Sequence, residues 1–188
     1  PDVDAEEERY LSSFYGMLGI PVCPEVDLDA GAPSAILGAQ ALGFAGIRDY
    51  ALDMREKGVP LAFSEAFLRK TGLCAGPDDP VIAPGADNWS LMDMDAGALN
   101  ALRDRLTAPL GLRFRAPTRV ALNLYDQDME VVQNFLDEPV QVELDLFGRD
   151  PKARKVALVL SEGREVGLVR EGSRYALTIP PRTLVVLN

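Results

Sequence analysis

The residue whose position best fits covalent chemistry is Ser64. It follows an apolar run, residues 59–63, and precedes a helical segment that begins at Glu65. This is the strand-to-helix position of an elbow nucleophile. The chain has no histidine, so a Ser64 nucleophile needs a lysine or carboxylate base, and Glu65 is adjacent in sequence and therefore poorly placed to act on it. We favour the alternative interpretation, in which Ser64 is the N-cap of the helix.

The lack of histidine also excludes whole classes of site. Ser-His-Asp and Cys-His catalysis and every histidine-containing metal centre are ruled out. The two cysteines, Cys23 and Cys74, are too few for a cysteine-only zinc site, and we interpret both as small buried residues. No cofactor motif stands out.

Paired carboxylates are the remaining chemistry-bearing pattern. Two segments repeat the form D-x-D-A-G and contain Asp27 with Asp29 and Asp93 with Asp95. Closely spaced carboxylate oxygens can bind Ca²⁺, but both segments lack the glycine and glutamate that an EF-hand loop has at its sixth and twelfth positions. Helix capping or loop solvation is therefore favoured over a metal site for all four.

A polar loop contains the single tryptophan. Trp89, with Asp87 two residues before it, could contact a sugar ring through aromatic stacking and hydrogen bonds. The alternative, which we favour, is that Trp89 fills space between two domains.

Charge is distributed unevenly. The net charge is −10, and all of the excess acid lies before residue 113. Nucleic-acid and anionic-membrane partners are therefore disfavoured. No apolar run reaches the ~18 residues of a membrane span, and the acidic N-terminal residues do not resemble a signal peptide. The cellular location stays open.

The first part of the chain has the alternation of an α/β domain, which we place at residues 1–112. Strands are predicted at 20–24, 34–38 and 59–63, and helices at 6–18, 44–57, 65–71 and 96–106, with a loop at 75–85. Strands and helices that alternate in this way indicate a mostly parallel sheet.

The pattern changes to short alternating strands in residues 113–188. Strands are predicted at 120–124, 130–135, 140–146, 156–160, 165–169, 175–179 and 183–187. Seven short strands separated by turns favour an antiparallel β-sandwich. The predicted fold class is therefore α/β plus all-β: a partial flavodoxin-like parallel sheet with helices, followed by an antiparallel sandwich.

Three stretches carry a resemblance to a known arrangement. They are Leu-Gly-Ile-Pro-Val at 18–22, Lys-Gly-Val-Pro-Leu-Ala-Phe at 57–63, and the Val-Val-Gln-Asn-Phe and Ile-Pro-Pro-Arg-Thr segments at 131–135 and 179–183. In this order they resemble a degenerate class I glutamine-amidotransferase-like (flavodoxin-like) domain followed by a small β-sandwich. The trimerisation-domain β-galactosidases and related carbohydrate-active proteins have this arrangement.

The resemblance implies an assembly role. In that family the degenerate domain mediates oligomerisation, whereas an active amidotransferase needs a cysteine nucleophile and a histidine base. Here Ser64 or Glu65 stands at the nucleophile position, so no catalytic residue is carried over. A glycosidase barrel is also absent, since a (β/α)₈ barrel takes about 250 residues.

Two hypotheses follow. The first is a non-catalytic assembly or ancillary module of a bacterial carbohydrate-processing protein, whose partners are other copies of the chain, a linked or separate catalytic domain, or carbohydrate. The second is a carboxylate-dependent hydrolase or a small-polar-ligand-binding protein that uses the cleft between its domains.

Overall fold

The computed structural model describes residues 15–22, 31–83, 88–125, 129–149, 156–159 and 166–187. These residues form two compact units. The first contains the described residues between 31 and 91, and the second contains Tyr15–Val22 and the described residues from 92 onward. The predicted boundary lies at residue 113. In the structure, residues 15–22 and 92–112 belong to the second compact unit.

A parallel sheet of three strands lies at the centre of the first unit, in the order β1-β2-β3. The elements of this unit are β1 (Ala35–Leu37), a 3₁₀ helix (Ala39–Gly43), α1 (Ile47–Glu56), β2 (Leu61–Ser64), α2 (Glu65–Thr71) and β3 (Val81–Ile82). A second 3₁₀ helix (Asn88–Asp93) follows them. All four residues of β2 are buried, as expected for the middle strand of a parallel sheet.

Helix α1 supplies one side of the core of the first unit. Ile47, Ala51 and Met54 are buried at helical spacing along one face. Eight buried residues among those described form one core cluster here: Leu37, Ala41, Ile47, Ala51, Met54, Leu61, Phe63 and Phe67. The predicted alternation of strands and helices is therefore confirmed for this region.

Two antiparallel four-stranded sheets make up most of the second unit. Its elements are α3 (Ala96–Thr107), a 3₁₀ helix (Ala108–Leu110), β4 (Arg113–Arg115), β5 (Val120–Tyr125), β6 (Met129–Asn134), β7 (Val140–Asp145), β8 (Val156–Val159), β9 (Gly167–Glu171), β10 (Arg174–Ile179) and β11 (Leu184–Leu187). The sheet orders are β4-β7-β10-β9 and β5-β6-β11-β8. Fourteen buried residues drawn from both sheets and their flanks form one core, so the predicted sandwich is confirmed.

Three local predictions were wrong. The segment 20–22 is not a strand, because Ile20 donates its backbone N–H to Tyr15 O in the turn that ends the preceding helical residues. The third strand of the parallel sheet is instead β3, inside the region predicted to be a loop. Cys74 is exposed in the loop after α2 instead of buried, and Cys23 lies outside the described residues. Strand β4, at the predicted domain boundary, was not anticipated.

A buried guanidinium ties distant parts of the second unit together. Arg103 on α3 is fully buried, and its Nε donates to Leu18 O at 2.7 Å. Its terminal nitrogens donate to Ala116 O and Pro117 O, and the group lies 5.1 Å from the ring centroid of Phe114. Burial lowers the pKa of Arg103 to about 10. The cation is therefore stabilised by main-chain carbonyls, which carry only partial charges.

The Val-Val-Gln-Asn-Phe segment at 131–135 contains a second buried polar side chain with long-range contacts. Asn134, at the end of β6, donates from Nδ2 to Glu138 O at 2.8 Å and to Pro180 O at 2.9 Å. Its Oδ1 accepts from the backbone N–H of Leu136. One side chain thus holds the turn between β6 and β7 against the turn between β10 and β11.

Candidate functional site

The elbow between β2 and α2 is formed, but its serine is occupied. Ser64 is 1% exposed, and its Oγ accepts a hydrogen bond of 3.1 Å from the backbone N–H of Phe67. This is the geometry of a helix N-cap, which stabilises the first turn. The N-cap interpretation is confirmed.

Glu65 does not complete a catalytic pair with Ser64. It is the first residue of α2 and its side chain is exposed, whereas the Ser64 side chain is buried beneath the helix start. A carboxylate at this position interacts favourably with the positive end of the helix dipole. The elbow can therefore start a helix, but it does not assemble a nucleophile with its base.

The four aspartates of the two D-x-D-A-G segments differ in what the structure shows of them. Asp95 is the N-cap of α3, and its Oδ2 accepts from Gly97 N at 2.9 Å and Ala98 N at 3.1 Å. Asp93 is exposed at the end of the second 3₁₀ helix. Asp27 and Asp29 lie outside the described residues. Within the described ranges, no group of three or more histidine, cysteine, aspartate or glutamate side chains is arranged to bind a metal.

The loop with the single tryptophan contains the candidate sugar-binding residues Asp87 and Trp89. Asp87 lies outside the described residues, and Trp89 is described only as part of the backbone of the second 3₁₀ helix. The sugar-stacking hypothesis for this loop stays a prediction.

The structure reveals a groove that the sequence did not point to, on the outer face of the sheet β4-β7-β10-β9. Its volume is about 470 Å³ and it is hereafter called the outer groove. Its charged lining consists of three arginines and three carboxylates: Arg113, Arg115, Arg174, Glu143, Asp145 and Glu171. Val169 and Ala176 add apolar surface between them.

Strand register places these side chains in two rows across the sheet. Arg113 pairs with Asp145 on β7, Asp145 pairs with Arg174 on β10, and Arg174 pairs with Glu171 on β9. Donor and acceptor side chains therefore alternate from strand to strand, at about the 4.8 Å spacing of a sheet.

The second row lies two residues along the strands. It runs from Arg115 through Glu143 and Ala176 to Val169. This row changes from charged to apolar across the sheet. Ala176 and Val169 form what we call the apolar wall of the outer groove, and the charged residues form its polar wall.

Several of the charges are held in place by neighbours. Arg115 donates two parallel hydrogen bonds to Asp104 of α3, at 2.7 and 2.5 Å, and these bonds raise the pKa of Arg115. Asp145 accepts from the Ser173 hydroxyl at 2.6 Å and from Arg174 at 3.3 Å. The guanidinium and the carboxylate are thus oriented before any ligand arrives.

A sequence signal exists for the part of the outer groove that β7 supplies. The alternation in β7 predicts that Gln141, Glu143 and Asp145 share a solvent face. The partners on β4, β9 and β10 depend on sheet order and register, which the sequence alone did not provide.

None of the helices in the described part of the chain is long and apolar enough to cross a membrane.

Comparisons with known proteins give only distant similarities. No family model matches the chain, and no curated protein matches it. Among solved structures, an alpha-amylase from H. orenii is 14% identical over 85% of this chain and 49% of its own, with a TM-score of 0.27.

Two further structures score similarly. An exo-carrageenase GH42 from Bacteroides ovatus is 10% identical over 94% of this chain and 26% of its own, with a TM-score of 0.30. A debranching enzyme from Nostoc punctiforme is 14% identical over 93% of this chain and 46% of its own, also at 0.30. The chain thus spans between a quarter and a half of the length of these proteins, and TM-scores of this size do not establish a common fold.

Proposed function

We propose that this chain is a non-catalytic assembly or ancillary module of a bacterial carbohydrate-processing, glycoside-hydrolase-like protein. The observation that carries the proposal is the state of the elbow between β2 and α2. Ser64 stands where a nucleophile would stand, but it is buried and its Oγ already accepts from the N–H of Phe67. The elbow has a structural role that accounts for the serine completely.

The chemistry around the elbow supports the same conclusion. A serine hydroxyl becomes a useful nucleophile only when a neighbouring base removes its proton. The chain has no histidine, and the adjacent carboxylate, Glu65, is exposed on the helix. An α/β domain that resembles an amidotransferase but lacks these parts is suited to assembly instead of catalysis.

The order of the two regions is the second support. A degenerate α/β domain followed by a small sandwich resembles the C-terminal region of the trimerisation-domain β-galactosidases. The proposal therefore includes a catalytic domain, linked or separate, that the module serves, and self-association of the module.

Two measurements on the full chain test this proposal. Light scattering after size-exclusion chromatography should give a discrete dimer or trimer, and a monomer across the micromolar range would contradict the assembly role. Incubation with glutamine and with aryl glycosides should give no turnover. Turnover that disappears in Ser64→Ala, but persists in the matched cap variant Asp95→Ala, would show that the elbow is catalytic and overturn the proposal.

A further inference from the structure

We infer that the outer groove is a binding site for a segment of neutral oligosaccharide. This inference rests on the proposed function, because it names the ligand class that a carbohydrate-related module would bind. It adds a location on the sandwich and the side chains that contact the ligand.

The charge of the groove selects against strongly charged ligands. Its three arginines and three carboxylates cancel, while the whole chain carries −10. A polyanion meets the carboxylates and the overall negative field, and a polycation meets the arginines. A neutral ligand with many hydroxyl groups can use both kinds of side chain, since a hydroxyl both donates and accepts hydrogen bonds.

The arrangement of donors and acceptors fits such a ligand. The row formed by Arg113, Asp145, Arg174 and Glu171 alternates donor and acceptor across four strands. In the next row, Glu143 lies between Arg115 and Ala176 and is exposed, and its side chain accepts no hydrogen bond from the described residues. Its carboxylate is therefore available to accept a hydrogen bond from a ligand hydroxyl.

The apolar wall supplies the other half of carbohydrate recognition. Val169 is 61% exposed and lies beside Ala176, whose small side chain leaves space above the sheet. The C–H faces of a sugar can pack on this surface while its hydroxyls reach the charged wall.

Preorganisation favours binding at this place. Asp104 holds Arg115 and Ser173 holds Asp145, so fewer side chains must be ordered when a ligand binds. The volume of about 470 Å³ is in the usual range for ligand sites.

A second copy of the chain is a poorer occupant of this face. Packing six charged side chains against a protein surface requires their desolvation, which mutual attraction often does not repay. Of the apolar residues that line it, Leu144 and Tyr175 are buried and only Val169 and Ala176 are exposed, whereas a stable interface buries about 800 Å² on each partner.

The test is calorimetric titration of the full chain with neutral oligosaccharides of four to six glucose, galactose, mannose or xylose units. We expect one of these classes to bind with a Kd below about 1 mM. Glu143→Gln should weaken that binding by about tenfold, because a charged acceptor is lost. Glu138→Gln removes the same charge from an exposed turn and should leave the affinity unchanged.

A second variant protects the test against a folding defect. Ala176→Leu fills the groove without changing its charge. This variant should abolish oligosaccharide binding, while its thermal transition stays within a few degrees of that of the parent. Binding that neither variant affects would overturn the inference, as would a lack of binding by every neutral sugar or a preference for a sulfated oligosaccharide. Turnover of the bound sugar would contradict the proposed function and leave the groove assignment intact.

Discussion

The two units of the molecule bury similar side chains but depend on different features for their stability. The first has a parallel sheet whose strands contain three, four and two residues. The second has four strands of six residues, which contribute to two sheets around a larger core. Short parallel strands need well-formed helices to cover them, whereas a sandwich needs its loops held in register.

Specific polar contacts reflect this difference. In the first unit a helix cap, Ser64, sits at the end of the central strand. In the second unit the buried side chains of Arg103 and Asn134 join loops far apart in sequence. The stability of the first unit should therefore respond mainly to changes at helix ends, and that of the second unit also to the loss of single long-range contacts.

The largest effect should follow from Arg103→Ala. Removing the guanidinium leaves the carbonyls of Leu18, Ala116 and Pro117 without their donor, and the first of these is buried, so the free energy of unfolding of the second unit should fall by about 3–5 kcal/mol. Differential scanning calorimetry should show this as a lower transition temperature for that unit. Arg48→Ala, an exposed change on α1, should move neither transition. An Arg103→Ala protein that unfolds like the parent would refute the role assigned to this side chain.

Gly148→Ala should have the next largest effect, through sterics alone. A Cβ at Gly148 would lie 2.6 Å from the Cα of Gly111, where the two backbones cross and Gly148 N donates to Gly111 O at 2.8 Å. Forcing the backbones apart should cost about 2 kcal/mol. The control is Gly16→Ala, where the added Cβ meets nothing and helical residues should gain slightly. Equal behaviour of the two variants in urea denaturation would contradict the close crossing.

Ser64→Ala should have a smaller effect, confined to the first unit. Loss of the N-cap should lower its stability by about 1 kcal/mol. Asp95→Ala removes the corresponding cap of α3 and should lower the stability of the second unit by a similar amount. The transition temperatures of the two units, measured by calorimetry for each variant, check both expectations. A variant that lowered both transitions equally would contradict the assignment of each cap to one unit.

The smallest effect should be a pH dependence at the edge of the sandwich. Arg182 hydrogen-bonds to Asp137 at 2.7 Å, and this contact lowers the pKa of Asp137 below its ordinary value. A lowered folded-state pKa gives stability that is present above the ordinary pKa and is lost as pH falls through the folded one. The parent should therefore melt slightly higher than Asp137→Asn at pH 7, and the gap should close by pH 2.

High salt provides an independent check of this pair. Both side chains are largely exposed, so 1 M sodium chloride should screen the attraction and reduce the same gap at pH 7. A gap that is insensitive to both pH and salt would show that the two side chains do not interact in solution.

Local patterns were enough to predict most elements and both helix caps. The alternation of residues 140–146 predicts β7, and the serine and aspartate before apolar helical segments predict the caps of α2 and α3. The two-residue strand β3 carries too little periodicity to be recognised between prolines. The segment 20–22 has strand-like composition, but its backbone is used by a turn.

The outer groove and the long-range contacts of the buried Arg103 and Asn134 depend on how distant segments pack, which no short stretch of sequence specifies. Arg113 and Glu171 lie at opposite edges of one sheet, and only the order β4-β7-β10-β9 brings them to a common face. Arg103 looks like an ordinary surface residue in the sequence of α3, yet its hydrogen bond to Leu18 spans 85 residues. The sequence predicts which residues are charged, but sheet order and register decide which of them meet.

The contact between Arg103 and Leu18 also bears on how the chain is made. Residues 15–22 leave the ribosome before the first unit, while the strands they pack with follow after it, in a synthesis that proceeds at about 5–20 residues per second. The first unit lies between them in the sequence and can fold during that interval. Completion of the sandwich must then wait until β11 has emerged, and a fragment beginning at the predicted boundary, residue 113, would lack both Arg103 and its partner carbonyl.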